Sequence, residues 1–460
     1  MKLSGTIHFI GISGIGMSAL ARILLQRGFA VSGSSDRRTA LTARLAEEGA
    51  EIFIGHDARN LGAATTVVVS SAIDPANAEL AAARAASLTV MYRGAMLAQL
   101  MQGRRAIAVA GTHGKTTTTA MIACALEAGG LDPTVVVGGE RVDTRSNARD
   151  GRGEWFVAES DESDRSFLEM HPEVAIVTNV ENDHVASDGE FAGLVEAFEK
   201  FLAGVPAGGL ALVGSDEPRA AALARVPRSA RTRTFGFAES DVRADGVTFE
   251  AFGSRFVVIV DGKHAGEIRL LVPGAYNVQN ALAAISAGLA AGVPFETLAE
   301  ALGTFRGVRR RFEILARSPR MTLVDDYAHH PTAVAAVLRA AREQFAGPIV
   351  AVFQPHRYSR TQYLAADFAR ALRSADRVVL TDVYAASEAP VADVDAQTIG
   401  RPLAALGGDV AYVARVDDLP AYLLEHAPPG ALVLMLGAGS ITAAAERLAA
   451  ELEGAEALVP

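Results

Sequence analysis

Short β-branched runs alternate with Ala- and Leu-rich amphipathic stretches along most of the chain, and two of these runs lead straight into glycine loops that open helices. A repeated strand–turn–helix pattern buries largely parallel sheets between helices, so the fold class expected is α/β. At roughly 150 residues per domain, the 460 residues make about three domains. Half of the residues are hydrophobic and 21% are charged, enough apolar surface for several cores, which excludes a disordered chain. The single cysteine, Cys124, excludes a disulfide scaffold and fits a reducing compartment. It lies between two alanines in a helical stretch and reads as core packing. Acidic residues outnumber basic ones 53 to 43 for a net charge of −10, which argues against a nucleic-acid partner. The longest apolar stretch, Ala281 to Val293, is shorter than the ~20 residues that span a bilayer. The N-terminus shows no charged leader with an apolar core. A soluble cytoplasmic chain with no membrane partner is expected.

Three blocks follow from the pattern. The first, residues 1–102, holds strands at Ile7–Ile10, Ala30–Ser32 and Thr66–Val69. The second, 103–312, opens with the strand Ala106–Ala110 and a helix from Thr116. It continues through strands at Trp155–Ala158 and Val174–Thr178, and a β-meander over Thr248–Leu271 with glycine turns at Gly253, Gly262 and Gly266. The third, 313–460, has strands at Thr322–Val324, Ile349–Phe353, Val378–Thr381 and Leu432–Leu436. Arg306–Arg311 reads as the linker into it.

The first glycine loop is Gly11-Ile12-Ser13-Gly14-Ile15-Gly16, with Asp36 beyond the next strand, where an acid can meet a ribose. The spacing is not that of a dinucleotide fingerprint, and a plain tight turn stands beside the favoured reading, a nucleotide-diphosphate site at a helix N-terminus. The second loop, Gly111-Thr112-His113-Gly114-Lys115-Thr116-Thr117, is sharper. Its backbone N–H groups and helix dipole suit phosphates, Lys115 can reach a β/γ-phosphate, and the Thr116 hydroxyl can hold Mg²⁺. Val109 stands where the strict phosphate-loop pattern has glycine, so the loop is a variant. Glu159 ends a strand beside this loop, where Mg²⁺ needs a hard oxygen. For Asp161, Glu162 and Asp164 after it, a solvated acidic loop is an equal reading. His184 can ligate a metal, though a lone histidine is more often structural. Asn277 and Asn280 can cap a helix or bond adenine or phosphate. Asp325-Asp326-Tyr327-Ala328-His329-His330 and Gln354-Pro355-His356-Arg357-Tyr358-Ser359-Arg360 both follow strands, where open α/β sheets bind ligands. Arg357 and Arg360 suit a carboxylate, and cations at a helix start run against the dipole, which favours a functional reason.

Together these motifs resemble the Mur ligase family over nearly the whole chain, and within it the alanine-adding branch. The resemblance rests on HFIG with the first glycine loop, Ser70-Ser71-Ala72-Ile73, GTHGKTTTT, ESDESDRSFL from Glu159, Ile176–Asn179, DDYAHHPT, FQPHRYSRT and DVYAASEAP from Asp382. It implies a Rossmann-like UDP-binding domain, a central P-loop-type ATPase domain and a C-terminal Rossmann-like amino-acid-binding domain. It also implies ATP-dependent ligation of L-alanine to the lactyl carboxylate of UDP-N-acetylmuramate through an acyl phosphate. By this resemblance Lys115 stabilises the transferring phosphoryl, and Thr116 and Glu159 hold one Mg²⁺. His184 holds a second. Asn277, Asn280, Arg311 and Asp326 lie on the ATP side, and His356, Arg357 and Arg360 on the alanine side. The UDP-sugar falls to Gly14, Ile15, Gly16, Asp36, Ser70 and Ser71. Two positions depart from the family: Ala186 stands where an Asp commonly follows the metal-binding His, and Tyr276 replaces a His before Asn277. A branch that adds a recycled peptide is the alternative within the family. An NAD-dependent oxidoreductase would leave the second loop and the third block unexplained.

Overall fold

The computed structural model describes residues 3–160, 165–181 and 188–456. The first strands are β1 (Thr6–Ile10), β2 (Val31–Ser35), β3 (Glu51–Ile54), β4 (Ala64–Val69) and β5 (Thr89–Tyr92). They form an all-parallel sheet in the order β3-β2-β1-β4-β5. The order in which strands are added reverses between β1 and β4, so the loops after these two strands flank the switch point where doubly wound sheets bind ligands. Those are the first glycine loop and Ser70-Ser71.

The second sheet takes β6 (Arg105–Ala110), β7 (Thr134–Val136), β8 (Ala148–Arg149), β9 (Trp155–Glu159), β10 (Val174–Val177), β11 (Leu210–Gly214), β12 (Arg231–Gly236), β13 (Val242–Glu250), β14 (Gly253–Val260) and β15 (Lys263–Leu270). The order is β15-β14-β13-β12-β11-β10-β6-β9-β7-β8. Central strands are covered on both faces, so they read as continuous apolar runs: Ile107, Val109, Phe156, Val157, Ile176 and Val177 are wholly buried. The meander is longer than expected, beginning at Val242 because β13 pairs with β12 there. Gly266 is not a turn residue. It lies within β15, where a β-carbon would stand 2.5 Å from the Phe295 ring.

The third sheet holds β16 (Glu313–Arg317), β17 (Met321–Asp326), β18 (Ile349–Phe353), β19 (Arg377–Leu380), β20 (Val410–Tyr412) and β21 (Ala431–Leu436) in the order β16-β17-β21-β18-β19-β20. Only β16 runs antiparallel among its described pairings, so β17, β18, β19 and β21 end on one edge.

By compactness the chain divides into two units, one of residues 1–245, 257–268 and 279–304, the other of 246–256, 269–278 and 305–460. Within the first unit, the helix Ile15–Gln26 is tied to the loop before β8. Buried Asn147 donates to the Ile15 carbonyl at 2.7 Å and to Ser18 Oγ at 3.0 Å. Its oxygen accepts from Arg22 at 2.6 Å, and Arg22 also pairs with Glu48 at 2.8 Å.

Candidate active site

The phosphate loop follows β6, which lies between β10 and β9. Gly111 (φ 128°) and Gly114 (φ 82°) adopt backbone conformations that side-chain-bearing residues rarely take. Space dictates glycine as well: a β-carbon would stand 2.1 Å from Thr178 Oγ1 at position 111 and 2.4 Å from Asn280 Oδ1 at position 114. The segment after β10 clamps the loop. Thr112 N–H donates to the Asn179 carbonyl and His113 N–H to Asn179 Oδ1 at 2.8 Å. Thr178 Oγ1 donates to the His113 carbonyl at 2.7 Å. Thr112 and His113 therefore use these amides to shape the loop. The amides of Lys115, Thr116 and Thr117 begin the helix Lys115–Ala128, where no preceding turn can supply acceptors. Lys115 Nζ lies over the loop, donating to the carbonyls of Gly111 at 2.5 Å and Thr112 at 3.1 Å.

Glu159 ends β9 beside this loop and accepts from Thr116 Oγ1 at 3.1 Å. Its other oxygen accepts from Gly138 N–H at 2.8 Å. A hydroxyl and a carboxylate thus converge at the start of the phosphate-loop helix, a donor set of hard oxygens that fits Mg²⁺. Among the described residues no group of three or more His, Cys, Asp or Glu could hold a metal by itself. His184, Asp161, Glu162 and Asp164 lie outside the described residues.

Asn280 is buried beneath the loop and accepts from Thr118 Oγ1 at 3.1 Å, a buttress for Gly114. Asn277 is also buried and donates to the Pro273 carbonyl at 2.8 Å, across the first turn of the helix Ala275–Ala290. Asn277 therefore lies inside that helix and does not cap it.

At the first sheet, Gly14 caps the helix Ile15–Gln26, and a β-carbon on Gly16 would meet Arg93 at 3.1 Å. Ile15 is 40% exposed at this N-terminus. Asp36 follows β2 with its carboxylate in solvent and 3.1 Å from His56 Nε2. His56 Nδ1 stands 2.9 Å from the buried Glu79. Burial pushes the Glu79 carboxyl up, but the nearby His8 ring and hydrogen bonds from Ser34, His56 and Asn60 more than offset it and bring it down to about 2. Ser70 and Ser71 follow β4 at the switch point, and the Ser70 carbonyl accepts from Ile73 N–H.

The third sheet gathers its candidates on one edge. Asp326, at the end of β17, accepts from the amides of Phe312 at 2.6 Å and Ala328 at 2.7 Å. Burial raises its pKa against the opposing pull of Arg311, whose guanidinium lies 5.1 Å from the Tyr327 ring centre. Beyond β18, His356 stacks on Tyr384 and meets the edge of His329, both at 5.5 Å. Burial, then Arg360 and Arg357, push the His356 imidazole down to about 4, so it is neutral at physiological pH. Arg357 takes a left-handed φ of 71°, its N–H held by the Tyr384 carbonyl at 2.8 Å. The helix Tyr358–Tyr363 that follows carries Arg360 in its last turn.

Family models match most of this chain. The Mur ligase family catalytic domain matches residues 6–105, the Mur ligase middle domain 109–288, and the Mur ligase glutamate ligase domain 310–439. The UDP-N-acetylmuramate–L-alanine ligase of Symbiobacterium thermophilum is 45% identical over 97% of this chain and 94% of its own. That of Acidithiobacillus ferrooxidans is 46% identical over 95% and 96%. This chain belongs to the Mur ligase family. Among solved structures, the UDP-N-acetylmuramate–alanine ligase of Thermotoga maritima superposes with a TM-score of 0.85 at 32% identity, covering 98% of this chain and all of the other. A murein peptide ligase from Psychrobacter arcticus shares the fold, with a TM-score of 0.74 at 24% identity over 98% and 99% of the two chains.

In this Mur ligase, two residues near the predicted site escaped the reading of its sequence. Gly138 bonds Glu159, and Glu388 holds the start of the Arg357–Arg360 segment. Glu388 accepts from Ser359 N–H at 3.0 Å and from Ser359 Oγ at 2.6 Å, filling the helix N-terminus with a carboxylate. Burial pushes the Glu388 carboxyl up, but the Ser359 hydrogen bonds and the nearby Arg357 charge bring it below its ordinary value. The conflict between a basic segment and a helix start is met by this acid. The signal for it was the second acid of DVYAASEAP, and for Gly138 the Gly138-Gly139 pair after β7.

Proposed function

We propose that this Mur ligase joins L-alanine to the lactyl carboxylate of UDP-N-acetylmuramate in peptidoglycan precursor synthesis, converting ATP to ADP and inorganic phosphate. The observation that carries the reading is identity of 45–46% along almost the full chain to ligases named for that reaction. We assign residues 1–102 to the UDP-substrate, 103–312 to ATP and 313–460 to the amino acid, and place the reaction in the cytoplasm. Among the described residues no helix is long and apolar enough to cross a membrane.

Lys115 leaves its two loop carbonyls to meet the γ-phosphoryl, where a fixed positive charge stabilises the charge spread over the transferring group. Thr116 and Glu159 would hold Mg²⁺, which when bound neutralises phosphate charge. Gly138 and Thr116 keep the Glu159 carboxylate in place for it. A lactyl carboxylate oxygen attacks the γ-phosphorus, the bond to the bridging β-phosphate oxygen breaks, and ADP departs, leaving an acyl phosphate. The alanine amine attacks the acyl carbon, the carbon–oxygen bond to phosphate breaks, and inorganic phosphate leaves. Arg357 and Arg360 grip the alanine carboxylate, the one charge the amino acid keeps after its ammonium is deprotonated. His356, held neutral, adds no positive charge beside that amine. Ile15 and Gly16 offer a helix N-terminus to the diphosphate of the UDP-sugar.

The test is ADP release with UDP-N-acetylmuramate, ATP and a panel of amino acids, with the product identified by mass. Alanine should be the preferred acceptor. A preference for the recycled peptide would replace this reading by the other branch of the family.

A further inference from the structure

None of the candidate site residues lines a cavity of about 210 Å³ in the second unit. It is built by the turn from β13 into β14, the end of β15 and the end of β16. Its lining includes Ser254, Arg269, Arg317 and Glu250. Arg317 pairs with Thr322 at the start of β17, whereas Glu313 pairs with Asp325 at its end. Four residue steps of about 3.3 Å place Arg317 roughly 13 Å from the strand ends that carry the candidate site.

Three observations mark this cavity as a binding site. First, Ser254 is 1% exposed, and its hydroxyl lines the cavity with no hydrogen-bond partner among the described residues. Such a group carries a desolvation cost that a ligand atom would relieve. Second, neither the Arg269 nor the Arg317 guanidinium forms an ion pair among the described residues. Arg317 is held instead against the Phe252 ring, 5.2 Å from its centre, which leaves the edge of its guanidinium able to donate. The acid on the lining, Glu250, already shares its charge with Arg255 at 3.9 Å. Third, the turn is strained. Ala251 (φ 50°) and Phe252 (φ 61°) are consecutive left-handed residues with side chains, and Gly253 follows because a β-carbon there would stand 2.3 Å from the Leu270 carbonyl. A two-residue hairpin turn needs positive φ at both central residues, and holding it with Ala251 and Phe252 fixes this wall of the cavity.

We propose that this cavity is a second, non-catalytic site for a small oxyanion, a phosphate or a carboxylate, held by Arg269 and Arg317 with Ser254 as the buried hydrogen-bond partner. Two guanidiniums offer paired donors to such an anion, and the volume is below the ~300 Å³ at which pockets for larger ligands begin.

The experiment is thermal unfolding of the full chain in titrations of inorganic phosphate and, separately, of acetate. Wild type, Ser254→Ala and the Arg269→Gln, Arg317→Gln double variant are compared. Anion bound at the glycine loops adds equally to all three, so the differences report on the cavity. In anion-free buffer Ser254→Ala should melt no lower than wild type, because it removes a buried hydroxyl that has no partner. With anion the wild type should gain more stability than either variant, and the double variant should need at least tenfold more anion for the same shift. A wild-type response to phosphate alone, or to acetate alone, identifies which source of the anion the site takes. Equal responses of the three chains to both anions would overturn the proposal. So would a lower melting temperature of Ser254→Ala without anion, which would mean that the hydroxyl serves the fold.

Discussion

The amide of Gly138 donates to Glu159 Oε2 at 2.8 Å, and a β-carbon at position 138 would stand 2.2 Å from that same oxygen. The carboxylate proposed to hold Mg²⁺ is therefore set by a backbone group that only glycine allows so close. Gly138→Ala should push Glu159 away from Thr116 and raise the Mg²⁺ concentration needed for half-maximal ADP release by tenfold or more. Binding of Mn²⁺ to the chain with ATP, followed by electron paramagnetic resonance, should weaken in parallel. An unchanged metal affinity would move the ligand role away from Glu159.

Lys115→Ala should reduce ligation by on the order of 10³-fold or more, since charge stabilisation of a transferring phosphoryl contributes several kcal/mol. Binding of UDP-N-acetylmuramate, assigned to the loops after β1 and β4, should stay near that of wild type by calorimetry. Turnover close to wild type at saturating ATP would falsify the assignment.

Asn147→Ala should act on the first glycine loop, to which neither ATP nor alanine is assigned. It leaves the nearly buried Arg22 short of its 2.6 Å partner and the first turn of the helix Ile15–Gln26 without its brace. A loss of about 1–3 kcal/mol in stability is expected from the unsatisfied groups. The KM for UDP-N-acetylmuramate should rise while that for ATP stays nearly constant. Equal rises in both would mean general loosening and not a brace for the diphosphate loop.

The strand–loop–helix order and the phosphate loop were legible because each is written in consecutive residues. Apolar runs ending in glycine, followed by Lys115 and four threonines, admit few other arrangements. What the sequence hid are contacts made across the sheet. Gly138 reaches Glu159 only because β7 lies next to β9, and Glu388 reaches Ser359 only because β19 lies next to β18. In sequence Asn280 can cap a helix or bond adenine or phosphate; its place under Gly114 depends on a helix more than 150 residues downstream packing below the loop. The meander's glycines misled for a different reason. Gly262 makes a turn by its positive φ, whereas Gly266 is demanded by the Phe295 ring, and composition alone does not distinguish a turn from a close approach.

Asp325 gives a pH dependence of stability. Burial pushes its carboxyl from 3.8 to about 7, with Arg310 opposing at 3.5 Å. The folded chain holds this proton up to about pH 7 and the unfolded chain releases it near pH 4, so between these values the folded state binds more protons. The group's stabilising contribution is complete below pH 4 and is lost as the pH rises through 7. Asp325→Asn should remove that slope and gain on wild type as the pH goes from 5 to 8 in urea unfolding. Parallel stability curves for the two chains would show that Asp325 is ionised in the folded state.

The last test concerns the amino acid. Alanine offers a methyl group worth about 1 kcal/mol of burial, an amine that must lose a proton to react, and a carboxylate. The carboxylate is the only persistent anchor, and a hydrogen bond to a charged group contributes roughly 1.5–3 kcal/mol. Arg357→Lys removes the bidentate fork and should raise the alanine KM about tenfold or more, with those for ATP and UDP-N-acetylmuramate nearly unchanged. Glu388→Gln should shift the same constant in the same direction by a smaller factor. The amide oxygen can accept only one of the two bonds from Ser359, and the side chain no longer places a full charge at the helix N-terminus or beside Arg357. Binding of the alanine carboxylate should also relieve the repulsion that Arg360 and Arg357 exert on His356, so its imidazole should titrate higher in the presence of alanine than in its absence. Nuclear magnetic resonance of the ring protons would read that shift directly. Alaninamide, which lacks the carboxylate, should be a poor substrate and should leave His356 where it was. If alaninamide is used as well as alanine by the wild type, the two arginines grip something other than the amino acid, and a phosphate of another substrate would be the next anion to test against them.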